Sequence, residues 1–246
     1  MALIHSLEKS GNVLFKYRGQ IPVILFLMAV PVLYFTDYTF ASKGIVTVFT
    51  IVAITLSIAG FMVRSYAIGT TPKGTSGRNR DEQVAESLNT TGIYSIVRHP
   101  LYLGNYLMWI GIVVFSFNFY FIIIVSLLFW LYYERIMFAE ERFLERKFGA
   151  AYLDWSKQVP AFIPAFSKFK KSLYPFSFKS VLRREYSGVA ATAIGFTFID
   201  VLRNYFLTGE IVWKLTSVYV TIAAILLALI LRTLKHNHLL DEEGRS

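Results

Sequence analysis

A short polar segment that leads into an apolar run carries residue types suited to ligand binding. It extends from Thr91 to Gly104 and reads TGIYSIVRHPLYLG. Pro100 suits the first turn of a helix, where its missing N–H is not needed. Arg98 and His99 are therefore expected at the start of a helix whose partial positive charge attracts anions. His99 and Tyr102 share one helix face. Singly, each is typical of a membrane-interface anchor; together they favour a site for an anionic group.

A second segment, ERIMFAEERFLERKFGAAY at 134–152, is rich in carboxylates. On a helix, Glu134, Glu141 and Glu145 would share one face, with Arg142 and Arg146 on a neighbouring face. A solvated, charged helix leaving the membrane is one explanation. Carboxylates close to a bilayer are costly unless they bind something, so a cationic ligand is the other explanation.

The composition predicts that the chain carrying these two segments is an integral membrane protein. Of the 246 residues, 55% are hydrophobic and 17% are charged, which departs from the composition of soluble domains. The chain has no cysteine. Disulfides, thiolate metal sites, a cysteine nucleophile and cysteine lipidation are therefore excluded.

Six apolar runs are long enough to cross a bilayer as helices. The third and fourth meet at 116–118, which predicts a helical hairpin. The predicted fold is an all-α polytopic membrane protein with about six transmembrane helices. The runs are Ile21–Tyr38, Gly44–Ile68, Pro100–Phe117, Asn118–Phe138, Gly188–Phe206 and Ile211–Leu231.

The distribution of basic residues predicts the orientation in the membrane. Nearly all of the 25 Lys and Arg fall in connections on one side, so both termini are expected in the cytoplasm. Anionic lipids on that side account for the net charge of +9, and no nucleic-acid signature accompanies it. The two long cytoplasmic connections, 69–99 and 134–187, are where functional residues are expected.

Three further features of the sequence predict a helix end, a membrane-surface segment and a buried ion pair. Gly149 is expected to end a helix that leaves the membrane after Glu134. Residues 168–184 mix basic and aromatic side chains, as membrane-surface segments do. Asp200 and Arg203 lie within the fifth run, where a charge needs a partner, so they are expected to pair.

The two polar segments resemble the isoprenylcysteine carboxyl methyltransferases and their phospholipid N-methyltransferase relatives. The resemblance rests on 91–104, followed by Ala139-Glu140-Glu141-Arg142-Phe143-Leu144, Phe148-Gly149 and Tyr152, and covers about 64–164. Members of that family are polytopic membrane enzymes that use S-adenosylmethionine. The resemblance therefore implies a methyltransferase with its cofactor pocket at the cytoplasmic face, and no metal is required.

The resemblance also implies roles for individual residues. Glu141 and Arg146 are the expected catalytic pair, and Lys147 is an alternative to Arg146 for orienting an anionic acceptor. Ile93 stands where the family usually has Pro, which is expected to loosen that turn. The cofactor-binding residues would be Tyr94, Val97, Arg98, His99, Pro100, Tyr102, Leu103, Glu140 and Glu141.

The chemistry of the cofactor agrees with these assignments. Its carboxylate suits Arg98 or His99, its ammonium suits a Glu, and its sulfonium suits aromatic faces. Lys73, Arg78 and Arg80 would suit a phosphate or carboxylate on a lipidic or prenylated acceptor, although an amine or a thiol acceptor also fits. Those three cations could instead serve only to anchor the chain to anionic lipids.

Three segments and two other functions follow from this interpretation. Residues 1–43 hold the N-terminal segment and the first span, 44–164 the methyltransferase-like core, and 165–246 a basic-aromatic segment with a two-helix extension. That extension is expected to reshape the acceptor entrance.

A related branch reduces sterols with NADPH, so a reductase is one alternative function. A transporter is the other, although the spans carry few charges. The sequence leaves the acceptor and the oligomeric state open.

Overall fold

The computed structural model describes residues 2–39, 42–75 and 83–245. Within these ranges the chain forms eight α-helices and no β-strand, which confirms the all-α prediction. Two short 3₁₀ turns lie at Ile93–Ser95 and Phe166–Lys168. The helices are α1 (Leu3–Tyr17), α2 (Ile21–Tyr34), α3 (Lys43–Gly69), α4 (Pro100–Val114), α5 (Phe119–Phe148), α6 (Ala150–Gln158), α7 (Phe178–Thr208) and α8 (Leu215–His236).

Each of the six predicted runs contains a helix, but the bounds differ. The helix α5 continues to Phe148, and Gly149 follows with φ of 54°, so the predicted helix end is confirmed. The helix α7 begins at Phe178, well before the predicted Gly188, because Ser177 caps it. By length and composition, α3, α5 and α8 could each cross a membrane, while α2 and α4 contain shorter apolar stretches. The total of six spans stays a prediction.

Small residues allow α3 and α4 to pack very closely, as is common between helices in membranes. A Cβ added to Gly104 would lie 2.4 Å from Cγ of Arg64 and 2.8 Å from the carbonyl oxygen of Gly60. One helical turn away, Ser57 Oγ donates to the carbonyl oxygen of Met108 at 3.0 Å. This contact fixes α4, and hence its N-terminal residues, against α3.

The predicted α4–α5 hairpin is present. Asn118 caps α5 by accepting a hydrogen bond from the backbone N–H of Phe121 at 2.8 Å. Its side-chain amide also donates to Thr36 Oγ1 at 2.8 Å, just beyond the end of α2. The turn therefore holds α4, α5 and α2 together at the end of the bundle opposite to Pro100.

Asp200 joins α7 to α8 through a buried polar cluster. Its side chain accepts hydrogen bonds from Arg203 Nη2 at 2.8 Å, Lys214 Nζ at 2.7 Å and Ser217 Oγ at 3.2 Å. The predicted pair of Asp200 and Arg203 is thereby confirmed. Arg203 also donates to the carbonyl oxygen of Phe115 at 3.1 Å, which ties the extension to the hairpin.

Segment 241–245 returns from α8 to the end of α3. Arg245 is buried and donates to the carbonyl oxygens of Thr71 at 3.0 Å and Pro175 at 2.5 Å. A cation at the C-terminal end of a helix is favoured by the helix dipole. The backbone N–H of Lys73 donates to the carbonyl oxygen of Gly244 at 2.9 Å, so this segment holds the start of the connection that follows α3.

Candidate active site

The 91–104 segment forms a rigid entry to α4. Gly92 adopts φ of 60°, Ile93–Ser95 make a 3₁₀ turn, and Pro100 occupies the first turn of α4, as predicted. Backbone hydrogen bonds then hold the segment against residues 160–165. The N–H of Arg98 donates to the carbonyl oxygen of Pro160 at 2.9 Å, and that of His99 donates to Ala161 at 3.2 Å. These hydrogen bonds fix the backbone positions of Arg98 and His99, from which their side chains extend.

His99 and Arg98 meet the carboxylates of α5. His99 Nε2 lies 2.8 Å from Glu141 Oε1, and Arg98 Nη1 donates to Glu141 Oε2 at 3.2 Å. His99 Nδ1 lies 3.6 Å from Glu140 Oε2. The ring of His99 stacks on Tyr102 with centroids 5.7 Å apart. The two polar segments, separated in sequence, form one cluster.

Burial and charge act in opposite directions on His99, whose side chain is 5% exposed. Burial alone lowers the pKa of the imidazole, but the interactions with Glu140 and Glu141 raise it further than burial lowers it. The net effect is a raised pKa, so His99 holds its proton to a higher pH than a free imidazole does. This cluster therefore combines the cation Arg98 with an imidazole whose charged form is favoured by its two carboxylate neighbours.

A cavity of about 440 Å³ opens beside this cluster. Its size lies in the range of small-molecule binding sites. Among the described residues, its wall contains nine aromatic residues, five basic residues and two carboxylates. The aromatic residues are Phe15, Tyr94, Tyr102, Trp109, Phe129, Tyr133, Phe143, Tyr152 and Trp155. The charged residues are Lys16, Arg18, Arg64, Arg98, Arg184, Glu140 and Glu185.

Most of the predicted cofactor residues line this cavity, and the others surround it. Glu141 supports the lining from behind through Arg98 and His99. Val97 is fully buried behind the wall, and Leu103 is half-buried on α4 outside the lining. The predicted residues within the lining are Tyr94, Arg98, His99, Pro100, Tyr102 and Glu140.

The predicted acceptor residues are placed elsewhere. The side chain of Arg146 is 54% exposed, and its Nη1 lies 2.6 Å from Glu8 Oε1 on α1. Lys147 lies near the rings of Phe143 and Phe148. Neither is among the described residues of the cavity wall, and the same holds for the exposed Lys73.

Two of the predicted acceptor residues cannot be placed. Arg78 and Arg80 lie outside the described residues. The acceptor-orienting role of Arg146 stays a prediction, and the geometry does not support it.

Sequence reasoning missed a second polar group in the cavity wall. Arg64 Nε and Nη2 donate to the two carboxylate oxygens of Glu185 at 2.7 and 2.6 Å, and its Nη1 donates to Asn105 Oδ1 at 2.5 Å. Arg184, next to Glu185 on α7, also lines the cavity. The sequence did offer one signal for this group. Arg64 is a charged residue near the end of an apolar run, where a charge needs a partner. Its partner could not be found because it lies 121 positions away.

A family model described as phospholipid methyltransferase matches residues 45–151. That segment contains α3, α4 and α5 with Arg98, His99, Glu140 and Glu141. Through this segment, which is less than half of the chain, the protein is similar to the phospholipid methyltransferase family. The resemblance stated from the two polar segments is confirmed.

Individual relatives match only part of the chain. Protein-S-isoprenylcysteine O-methyltransferase of Schizosaccharomyces pombe is 35% identical over 89 residues, 36% of each chain. Protein-S-isoprenylcysteine O-methyltransferase B of Arabidopsis thaliana is 33% identical over 116 residues, 45% of this chain and 57% of the relative. The nickel-cobalt-cadmium resistance protein NccN of Alcaligenes xylosoxydans xylosoxydans is 35% identical over 95 residues, covering 39% and 42%.

The chain thus spans 57% or less of the length of these relatives. No solved structure matches it significantly. The family model ends at residue 151, so α7 and α8 lie outside the matched segment. The apolar helices and the family together identify an integral membrane protein.

Proposed function

We propose that this chain transfers a methyl group from S-adenosylmethionine to a carboxylate or phosphate oxygen of a lipidic acceptor. One observation carries the proposal. Arg98, His99 and Glu140 meet at the wall of one cavity, and all three lie in the segment that matches the methyltransferase family. The names of two relatives, which act on S-isoprenylcysteine, favour an oxygen acceptor attached to an apolar chain.

The polar atoms of this wall fit the charged ends of the proposed cofactor. Glu140 Oε2 and Arg98 Nε are buried without a hydrogen-bond partner. A buried polar atom of this kind is costly unless a ligand satisfies it. The carboxylate of Glu140 suits an α-ammonium, and the guanidinium of Arg98 with His99 suits an α-carboxylate. The faces of Tyr94 and Tyr102 suit a sulfonium.

The residues of this chain act mainly by positioning and by excluding water. When bound, S-adenosylmethionine supplies an electrophilic methyl group on its sulfonium. Glu141 holds Arg98 and His99 in place, so we assign it a positioning role and not a direct contact. Aromatic side chains exclude water around the reacting atoms. An ionised acceptor oxygen is already nucleophilic, so alignment contributes more than a general base.

The orientation and the lipid contacts belong to the same proposal. Both termini would lie in the cytoplasm, and the cavity would open on that side, as the distribution of basic residues indicates. The exposed Lys168, Lys170 and Lys171 would contact anionic lipids there.

Calorimetric titration of the detergent-purified protein tests the cofactor. We expect saturable binding of S-adenosylmethionine and S-adenosylhomocysteine and none of NADPH. Binding of NADPH alone would assign the chain to the reductase branch. Binding of none of the three would contradict the proposal.

A matched pair of variants tests the placement. Glu140→Gln should weaken S-adenosylmethionine binding about tenfold or more, because it removes one charge-assisted hydrogen bond. Glu145→Gln is the control, since Glu145 pairs with Arg142 at 2.5 Å and lies outside the cavity lining. Equal affinities for the two variants would show that Glu140 does not contact the cofactor.

A further inference from the structure

The cavity extends from the polar cluster into the apolar part of the helix bundle. On α4 the residues of its wall extend from Pro100 to Trp109, an advance of about 14 Å along the helix axis. On α5 they extend from Glu140 back to Phe129, which is about 16 Å. Because the hairpin makes α4 and α5 antiparallel, both helices give a similar depth. The cavity is therefore a deep pocket.

Three apolar side chains lie at the inner end of this pocket. They are Trp109, Phe129 and, on α2, Leu25. Leu25 and Trp109 also pack against the buried core of the bundle. The same two side chains line a second cavity of only about 10 Å³, whose other described walls are Phe26, Ala29, Ile112, Val113, Phe121 and Ile199. Leu25 and Trp109 therefore separate the deep pocket from a small apolar void beyond it.

The inner end suits a hydrocarbon chain better than the cofactor. S-Adenosylmethionine carries charged or hydrogen-bonding groups along its length, and burial against apolar side chains would leave some of them without partners. A hydrocarbon chain has no such groups, and burial of each methylene is favourable. The residues assigned to the cofactor lie at the other end, where Arg98, His99 and Glu140 meet. An acceptor whose head group lies beside the cofactor would therefore direct its chain toward Trp109.

We propose that Trp109, together with Leu25, forms the end of the acceptor-chain site and limits the length of the apolar chain that the cavity accepts. With carbon–carbon bonds of about 1.5 Å, an extended chain advances about 1.25 Å per carbon. The depth of the pocket therefore accommodates about 11–13 carbons. A longer chain would meet the indole of Trp109, which the core supports from behind. The inference rests on the proposed function and deepens it by assigning the length of the acceptor chain.

Binding of homologous lipids in nanodiscs tests the inference without a methyl donor. Two series of single-chain lipids, the N-acetyl-S-alkylcysteines and the alkyl phosphates, each run from about 8 to about 18 carbons, on both sides of the expected limit. Native mass spectrometry compares the lipids bound to the full chain with those in the surrounding bilayer. We expect the bound share to fall about fivefold or more above about 13 carbons, because a longer chain overpacks the inner end. The series that binds better shows whether the head group is a carboxylate or a phosphate.

Variants of two tryptophans separate the length limit from general effects on the helices. Trp109→Leu should raise the bound share of the first excluded lengths about fivefold or more, because the smaller side chain opens the pocket toward the second cavity. Leu25→Ala should shift the limit in the same direction from α2, and it provides the test if Trp109→Leu does not fold. Trp130→Leu is the matched control, because Trp130 of α5 is 45% exposed and is not part of the cavity wall. It should keep the wild-type limit.

Four results would overturn the inference. They are binding of neither series, a bound share that does not fall with chain length, an unchanged limit in both Trp109→Leu and Leu25→Ala, and an equal shift in Trp130→Leu. The last would mean that the limit does not depend on the inner end of the pocket. A chain that shows the length limit but does not bind S-adenosylmethionine would instead contradict the proposed function alone, so the two failures are distinguishable.

Discussion

At the scale of residues, the site is a cluster in which each charge is held by another. Glu141 contacts both Arg98 and His99, so these two side chains stay in place before any ligand binds. Glu140 retains a buried carboxylate oxygen without a hydrogen-bond partner. The division between a positioning carboxylate and a binding carboxylate depends on which of two consecutive residues faces the cavity. Spacing alone could not make that distinction.

The raised pKa of His99 leads to a prediction about pH. A group whose pKa is higher in the folded state stabilises the protein below its unfolded pKa, near 6.5, and this contribution is lost as pH rises through the folded pKa. The difference in thermal stability between wild type and His99→Asn should therefore shrink from about pH 5.5 to pH 8.5. Scanning calorimetry in detergent measures it.

His236→Asn provides the control for this pH series, because His236 is exposed at the end of α8. Its stability should follow that of wild type at every pH. A His99→Asn difference that is constant or grows with pH would contradict the assignment of a paired imidazolium.

At the scale of elements, the site depends on how closely α3 and α4 approach. Gly60 and Gly104 let the two backbones come together, and the side chain of Arg64 then passes over Gly104 to reach α7. The N-terminus of α4, which carries His99, is thereby fixed relative to α3. The family resemblance of the segment that contains both helices indicated a function. It did not indicate how closely the two helices pack.

Gly104→Ala tests that packing. The new methyl group would lie 2.4 Å from Cγ of Arg64 and 2.8 Å from the backbone oxygen of Gly60, so the helices must separate. We expect a destabilisation of about 1–3 kcal/mol, measured as a lower Tm. Gly44→Ala, also in α3, meets only Ser42 Oγ at 4.0 Å and should be neutral or slightly stabilising. Equal Tm values for the two variants would refute the close approach.

At the scale of the whole molecule, the cavity is assembled from distant parts of the chain. Its wall includes residues from the end of α1, from the matched segment 45–151 and from α7. The predicted segments 1–43, 44–164 and 165–246 are therefore not separate functional units, since all three contribute residues to one cavity. The link between the matched segment and α7 is the ion pair of Arg64 and Glu185.

A double-mutant cycle on that ion pair tests how α7 is held. Glu185→Leu alone leaves Arg64 without its carboxylate partner, and loss of one member of such a pair typically costs about 3–5 kcal/mol. Because the side chain of Arg64 is 19% exposed, we expect the lower end of that range. Adding Arg64→Met should restore most of the stability, because the two apolar side chains can pack together.

One result of this double-mutant cycle would contradict the role assigned to the ion pair. If the double variant were as unstable as the sum of the two single variants, the two side chains would act independently. The charged pair would then not be what holds α7 against α3.

The sequence by itself determined the fold class, the helical regions and the resemblance to a methyltransferase family, because each is encoded locally. Apolar length marks helices that could cross a bilayer, and the Arg-His-Pro and Glu-Glu segments are contiguous. The end of α5 at Gly149 was predictable for the same reason. These features depend on neighbouring residues, so no tertiary contact was needed to find them.

Only the tertiary structure decided which side chains face the cavity and which residues outside the motifs join it. Arg146 lies near the expected position in sequence, but its helix face directs it to Glu8 on α1. Arg184 and Glu185 belong to a segment that composition marked only as basic and aromatic, yet they line the cavity. Contacts such as that between Arg64 and Glu185 join distant positions, so their pairing is set by how helices pack and not by local pattern.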